Sequence, residues 1–299
     1  MNHFILTRFN LRLYPKDKNG NVTLTPEWLE HRFQLFELYT LPSLSAQTCK
    51  DFKWIVLIDR ETPQEYKDRL EKCREQCPNL EIIKVRSNKG YLSTKVFREV
   101  IQRDMKELNG EDYKYGKVLT TWMDNDDALA IDFVERVQQE AAKLSLKRPS
   151  FIAFHYGLQY FTQRKVAVKH RYKNNHFISL LEVMQPDSLP KTVFGYGSHW
   201  DVYSFGERCN IHQVKNKEKA AWIEVVHDRN VSNDIKRRMF WYRPINDVHL
   251  LEKEFGLDII LDKHNARHYY TIILPKIVIV NVKHFVTKAL EKMGILARS

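Results

Sequence analysis

An apolar run, Val118 to Met123, leads straight into Asp124-Asn125-Asp126-Asp127. The run reads as a buried strand. Residues two apart on an extended chain point the same way, so Asp124 and Asp126 are expected to project together from the strand's carboxyl end. Three anions so close repel one another unless positive charge sits among them. A hard divalent cation with oxygen ligands, Mg²⁺ or Mn²⁺, would supply it. The plainer alternative is a solvated acidic turn that caps a helix starting near Ala128, because Asp is a good N-cap.

The elements that would position this cluster alternate along the first half. Residues 4–9 form a short apolar strand. A polar loop over 15–26 follows, then a helical pattern from Trp28 through Leu29, Phe33, Phe36 and Tyr39 that Pro42 interrupts. Lys53–Asp59 is a second buried strand ending in a carboxylate, and Thr62-Pro63 opens a charged helix to about Cys77. A third strand covers Leu80–Val85, and an amphipathic helix capped by Ser93 or Thr94 covers residues 93–108. The strand at 118–123 and a helix over 128–144 complete the series. Such alternation predicts a mostly parallel sheet flanked by helices, in which ligands bind beyond the carboxyl ends of the strands. Arg8, Asp59 and the Asp124–Asp127 cluster all fall at such ends.

The second half reads differently. Residues 151–161 and 165–171 resemble an antiparallel hairpin turning at Thr162-Gln163-Arg164. A short helix over 177–184, an irregular aromatic strand over 192–197 and a strand over 222–227 follow. No linker separates the halves, so one composite α/β domain is expected. Residues 1–145 would be its nucleotide-binding half and 146–245 the mixed antiparallel half completing the cleft, with 246–299 an extension packed on the body. In that extension residues 272–280 read as a β-type run broken by Pro275. Residues 283–296 read as a basic amphipathic helix with Phe285, Val286, Ala289, Leu290 and Met293 on one face. That helix either docks on the body or touches an anionic membrane peripherally.

A composition of 43% apolar and 28% charged residues excludes wholesale disorder. The net charge of +11 is uneven: residues 1–150 carry 25 Lys+Arg against 23 Asp+Glu, and residues 151–299 carry 23 against 14. The basic half is expected to face an anion, whether nucleic acid, nucleotide diphosphate or membrane. Cys49, Cys73, Cys77 and Cys209 form no C-x-x-C pair, so a reducing compartment is the default. No signal peptide is visible, and no apolar stretch approaches the ~20 residues of a membrane span. A cytoplasmic location, with peripheral contact at the inner face of the membrane as an option, follows as an expectation.

Several segments together resemble a known pattern. They are His3-Phe4-Ile5-Leu6-Thr7-Arg8-Phe9-Asn10; Leu35-Phe36 with Leu41-Pro42-Ser43-Leu44 and Gln47; Asp51-Phe52-Lys53-Trp54; Trp122-Met123-Asp124-Asn125-Asp126-Asp127-Ala128-Leu129; and His227-Asp228-Arg229-Asn230-Val231-Ser232-Asn233. In this order they resemble the rhamnosyltransferase family of bacterial polysaccharide loci, a group of GT-A-like glycosyltransferases, over roughly residues 1–240. The resemblance implies a GT-A-like fold, a nucleotide-sugar donor, a D-x-D metal site at Asp124 and Asp126, and an acceptor that is a glycan or a lipid-linked saccharide. It implies that His227 completes the metal sphere or touches the diphosphate, with Asn230, Ser232 and Asn233 nearby. Asp59 would meet the nucleotide base or ribose. Thr7 and Arg8 would face the same pocket, with Arg86 and Lys95 as further donor contacts. Asp127 is open to three roles: metal ligand, sugar-hydroxyl acceptor or helix cap. Lys169, Arg171 and Lys173 would meet diphosphate, an anionic acceptor or simply solvent. An inverting transfer needs a carboxylate base, for which Glu182 and Asp201 are the candidates, with His199 also open.

The leading expectation is therefore a metal-dependent glycosyltransferase, with dTDP-rhamnose as the donor that the family name suggests and no nucleic-acid partner. The alternative from another class is a metal-dependent nuclease or phosphoesterase using the same aspartates on a polyanion. A non-catalytic basic binding protein is a third reading; it leaves the strand-end carboxylates without a role.

Overall fold

The apolar runs of the first half pair as parallel neighbours: residues 4–7, 54–58 and 118–122 are buried on both faces, and the run over 80–85 is a half-buried edge. A computed structural model describes residues 2–13, 16, 20, 22–86, 90–185, 188–199, 201–204, 208–227 and 243–293. Its strands are β1 (Asn2–Arg8), β2 (Lys53–Asp59), β3 (Leu80–Val85), β4 (Lys117–Trp122), β5 (Ala128–Leu129) and β6 (Ser150–Phe154). They continue with β7 (Tyr156–Phe161), β8 (Val166–Arg171), β9 (Ile178–Val183), β10 (Asn210–Val214) and β11 (Trp222–Val226). Seven of these form one sheet in the order β10-β6-β9-β4-β1-β2-β3, parallel throughout except where β9 runs against both β4 and β6. A second sheet, β5-β11-β7-β8, stands beside it.

Side-chain alternation divides the first sheet between two cores. On β2, Trp54, Val56 and Ile58 face one apolar cluster, and Ile55 and Leu57 face another. Helices α1 (Pro26–Leu35), α3 (Gln64–Gln76) and α5 (Phe133–Ala142) cover the first face. Helix α4 (Gly90–Asn109) covers the second. Between α1 and α3, a π-helical segment (Phe36–Thr40) joins α1 to α2 (Leu41–Ser45). Pro42 therefore does not end the helical run; it sits in the first turn of α2, where its missing N–H is harmless.

Several expected elements change type or bounds, each for a physical reason. Residues 128–144 are not one helix: Ala128 and Leu129 pair with β11, and the helix begins only at Phe133. Residues 177–184 form strand β9 rather than a helix. A short run of mostly apolar residues carries no clear period, and its burial between β4 and β6 decides. Residues 151–161 divide at His155 into β6 and β7, which belong to different sheets. The hairpin with β8 holds, turning through Thr162–Arg164. Helix α4 starts at Gly90, so Ser93 and Thr94 lie inside it rather than at its cap. Residues 192–197 are turns that bury Val193, Phe194 and Tyr196.

The C-terminal part departs most from expectation. Helix α6 (Leu250–Phe255) and the chain after it bury Leu251, Phe255, Leu257 and Leu261 against the second sheet. Helix α7 (Asn265–His268) then runs through a π-helical segment (Tyr269–Ile273) into α8 (Leu274–Lys292). Pro275 opens α8 instead of breaking a strand. The stretch Tyr269–Lys292 is 24 residues long, and by length and composition it is apolar enough to cross a membrane. This corrects the expectation that no helix reaches that length.

Candidate active site

Strand β4 ends at Trp122, and the chain turns there into the acidic cluster. Its carboxylates do not share one environment. Asp124 stays half exposed, with Oδ1 accepting from the Trp122 indole N–H at 2.8 Å. Asp126 is buried, and its Oδ2 accepts from Arg32 Nη1 at 2.6 Å and lies 3.1 Å from His227 Nε2. Asn125 anchors the turn by donating to the Phe9 carbonyl at 2.8 Å. Asp127 is buried deeper still: Oδ1 accepts the Val225 amide at 2.7 Å and Oδ2 meets His176 Nε2 at 2.7 Å. It therefore ties the β4 turn to β11 and does not cap a helix.

The charges follow from these contacts. Burial alone would raise the Asp126 carboxyl, but Arg32 and His227 outweigh it and hold the group well below the usual carboxylate range. Asp127 goes the other way: burial, then the Asp126 charge, push it up to about 7 against the pull of His176. Burial would lower His176, but Asp124 and Asp127 raise it to about 9, so at neutral pH the ring carries a proton. Arg32 lies over the Trp28 ring at 5.3 Å, and the His31 ring is 5.2 Å from that of His227. Helix α1 thus delivers a cation to the end of β4.

The other expected residues scatter. Asp59, at the end of β2, is buried and accepts from Arg12 Nε and from the Glu61 amide, both at 2.7 Å. Arg8 stacks on Trp122 and Phe194, its guanidinium carbon 5.0 and 4.5 Å from the two rings. Thr7 points into the sheet, where its hydroxyl accepts from the Trp54 indole at 3.0 Å. Arg86 is exposed beyond β3, and Lys95 on α4 is exposed with Glu99 at 3.6 Å. Glu182 pairs with Val118 across β4 and β9, at the opposite end of β4 from the aspartates and roughly 20 Å away by strand rise. Its carboxylate accepts the Thr192 and Lys191 amides at 2.8 and 3.0 Å. Asp201 is exposed on a loop whose His199 ring lies 5.9 Å from both His176 and Trp122. Arg171 lies over Tyr156 and Lys173 over Tyr203, beside that loop. Asn230, Ser232 and Asn233 lie outside the described residues.

With this geometry in place, the family model described as "Putative rhamnosyl transferase" matches residues 7–239. The chain belongs to that family. It is a glycosyltransferase with an α/β fold built on a mostly parallel sheet. Among solved structures, S. aureus TarS 1–349 in complex with UDP is similar at 12% identity and a TM-score of 0.38, over 91% of this chain and 73% of that one. A nucleotide-diphospho-sugar transferase from Desulfovibrio desulfuricans G20 is similar at 9% identity and a TM-score of 0.39, over 91% and 96%. No curated protein matches the sequence.

Two residues of the glycosyltransferase's acidic cluster escaped the sequence reading. Arg32 sits one turn after Trp28 on the buried face of α1. A cation on an otherwise apolar helical face was the signal. His176 follows two asparagines at the start of an apolar run, a placement that carries no signal of its own. Asp124, Asp127 and His176 each offer a ligand atom within 4.8 Å of the others. Two carboxylate oxygens and an imidazole nitrogen suit Mn²⁺ or Mg²⁺, and half-exposed Asp124 leaves one side open. The residues present therefore fit a divalent cation. The Asp126 oxygen nearest His227 already holds Arg32.

Proposed function

We propose that this glycosyltransferase moves a sugar, rhamnose by family, from a nucleoside diphosphate to a hydroxyl of a glycan or lipid-linked saccharide, with a divalent cation bound at the end of β4. The observation that carries this reading is the split acidic cluster, in which Asp124 faces outward while Asp126 and Asp127 are buried with cationic partners. Asp124, Asp127 and His176 would hold the cation, and His176 would give up its proton to do so. When bound, the cation neutralises charge on the leaving diphosphate. Asp126 with Arg32 and His227 would fix the turn and add positive charge beside the diphosphate. Asp59 with Arg12, and Arg8 on Trp122, would hold the nucleoside.

In the transfer, the sugar C1–oxygen bond to the β-phosphate breaks and a bond from C1 to the acceptor oxygen forms. If configuration inverts, a base takes the acceptor proton. That base would be Asp201 rather than Glu182, because the loop of Asp201 borders His176 and Trp122 through His199, while the Glu182 carboxylate accepts the Lys191 and Thr192 amides. Calorimetric titration of dTDP, UDP and GDP with and without Mn²⁺ tests the reading. Metal-dependent affinity that Asp124→Ala removes is expected; equal affinity without metal would sink it.

A further inference from the structure

Only 11% of the most apolar stretch of the helix running through α8 is buried, although it is the longest helical segment described. Its beginning is held: Tyr269, Ile273 and Ile277 pack on Phe161, Val166 and Val168. Beyond Ile277 most side chains of the helix are exposed, until Glu291 near its end, which is buried. At 3.6 residues per turn, Phe285, Val278, Val282, Met293, Val286 and Ile279 share an arc of about 120° that lies opposite Ile277. All six are exposed, Phe285 at 74% and Val282 at 55%. Lysines border the arc on both sides, Lys276 and Lys283 along one edge and Lys288 and Lys292 along the other, each within roughly 60° of it. The one acid of α8, Glu291, is buried toward the opposite side and pairs with Lys288 at 2.7 Å.

We infer that this face of α8 lies flat in the headgroup region of an anionic lipid bilayer, with the arc turned down and the flanking lysines reaching out to lipid phosphates. Charge complementarity selects this occupant: an apolar stripe edged by cations and free of acids matches an acyl boundary beneath anionic headgroups. Length argues against crossing. From Val278 to Lys292 the helix spans about 15 residues, roughly 22 Å, against a hydrocarbon core of ~30 Å. Lys283 and Lys288 would also fall inside that core. The inference does not depend on the donor or the metal.

The test is co-sedimentation of the full chain with phosphatidylcholine vesicles, with and without phosphatidylglycerol. Binding is expected only with phosphatidylglycerol, and it should weaken as salt rises from ~0.1 to ~1 M. Phe285→Asp or Val282→Asp should reduce it at least ~10-fold. Each of Lys276→Gln, Lys283→Gln and Lys292→Gln should reduce it about fivefold. Because these residues are exposed, the variants should melt like the parent chain, and binding by wild type and variants alike would overturn the inference. Three other outcomes would also overturn it: equal binding to neutral vesicles at high salt, resistance to alkaline carbonate extraction, which indicates a spanning helix, and absent vesicle binding with a dimer that Phe285→Asp dissociates.

Discussion

Asp126 and Asp127 are adjacent in the chain yet meet opposite fates, one held ionised by Arg32 and the other pressed toward its neutral form. Substitutions at Asp124 and at Arg32, which flank this pair, should therefore separate binding from stability. Asp124→Ala changes a half-exposed side chain, so stability should stay within ~0.5 kcal/mol while Mn²⁺-dependent nucleotide affinity disappears. Arg32→Met leaves the buried Asp126 carboxylate with His227 as its remaining side-chain partner among the described residues, and should cost about 3–5 kcal/mol. Denaturant titration of the two variants beside calorimetry checks the pair. Equal destabilisation by both would mean that Asp124 is structural.

Among the elements, β1 is the strand on which the sheet can be titrated. His3 is buried, and its ring pairs with Thr121 Oγ1 of β4 at 2.8 Å; that hydroxyl meets Ser179 Oγ of β9 at 2.7 Å. Burial pushes His3 from its ordinary 6.5 down to about 3. The unfolded chain therefore takes the proton first. The contribution of His3 is whole above pH 6.5 and is lost as pH falls toward 3, at up to ~1.4 kcal/mol per pH unit. Urea midpoints measured across that window should fall with acid, and His3→Gln should flatten the limb. Gly157 on β7 supports the other sheet by close approach: a Cβ there would stand 2.2 Å from the Trp222 ring. Gly157→Ala should cost about 1–3 kcal/mol, seen as a lowered melting temperature, because Trp222 of β11 must move.

For the whole molecule, the family match ends at residue 239 but the core does not. Leu251, Phe255, Leu257 and Leu261 close the apolar cluster over the second sheet, and the Glu254 carbonyl accepts the Ile131 amide at 2.9 Å. Gly256, in the left-handed region at φ 67°, makes the turn that brings them there. Phe255→Ala should cost about 3–5 kcal/mol in denaturant unfolding, as for a core aromatic. A change of less than ~1 kcal/mol would mean that the segment only rests on the surface.

The sequence alone carried the parallel strands, because a ribbon buried on both faces is built mostly from apolar residues, as in Trp54–Ile58 of β2 and Phe4–Leu6 of β1. It also carried the acidic cluster at a strand end, since adjacency along the chain guarantees adjacency in space. The three-dimensional packing decided the rest. Arg32 reaches Asp126 across 94 residues and His176 reaches Asp127 across 49, separations over which no local pattern acts. The same packing turned residues 178–183 into a strand and moved Glu182 to the far end of β4. Local propensity sets what a segment can be, but which charge neutralises a buried carboxylate depends on what the rest of the chain brings beside it.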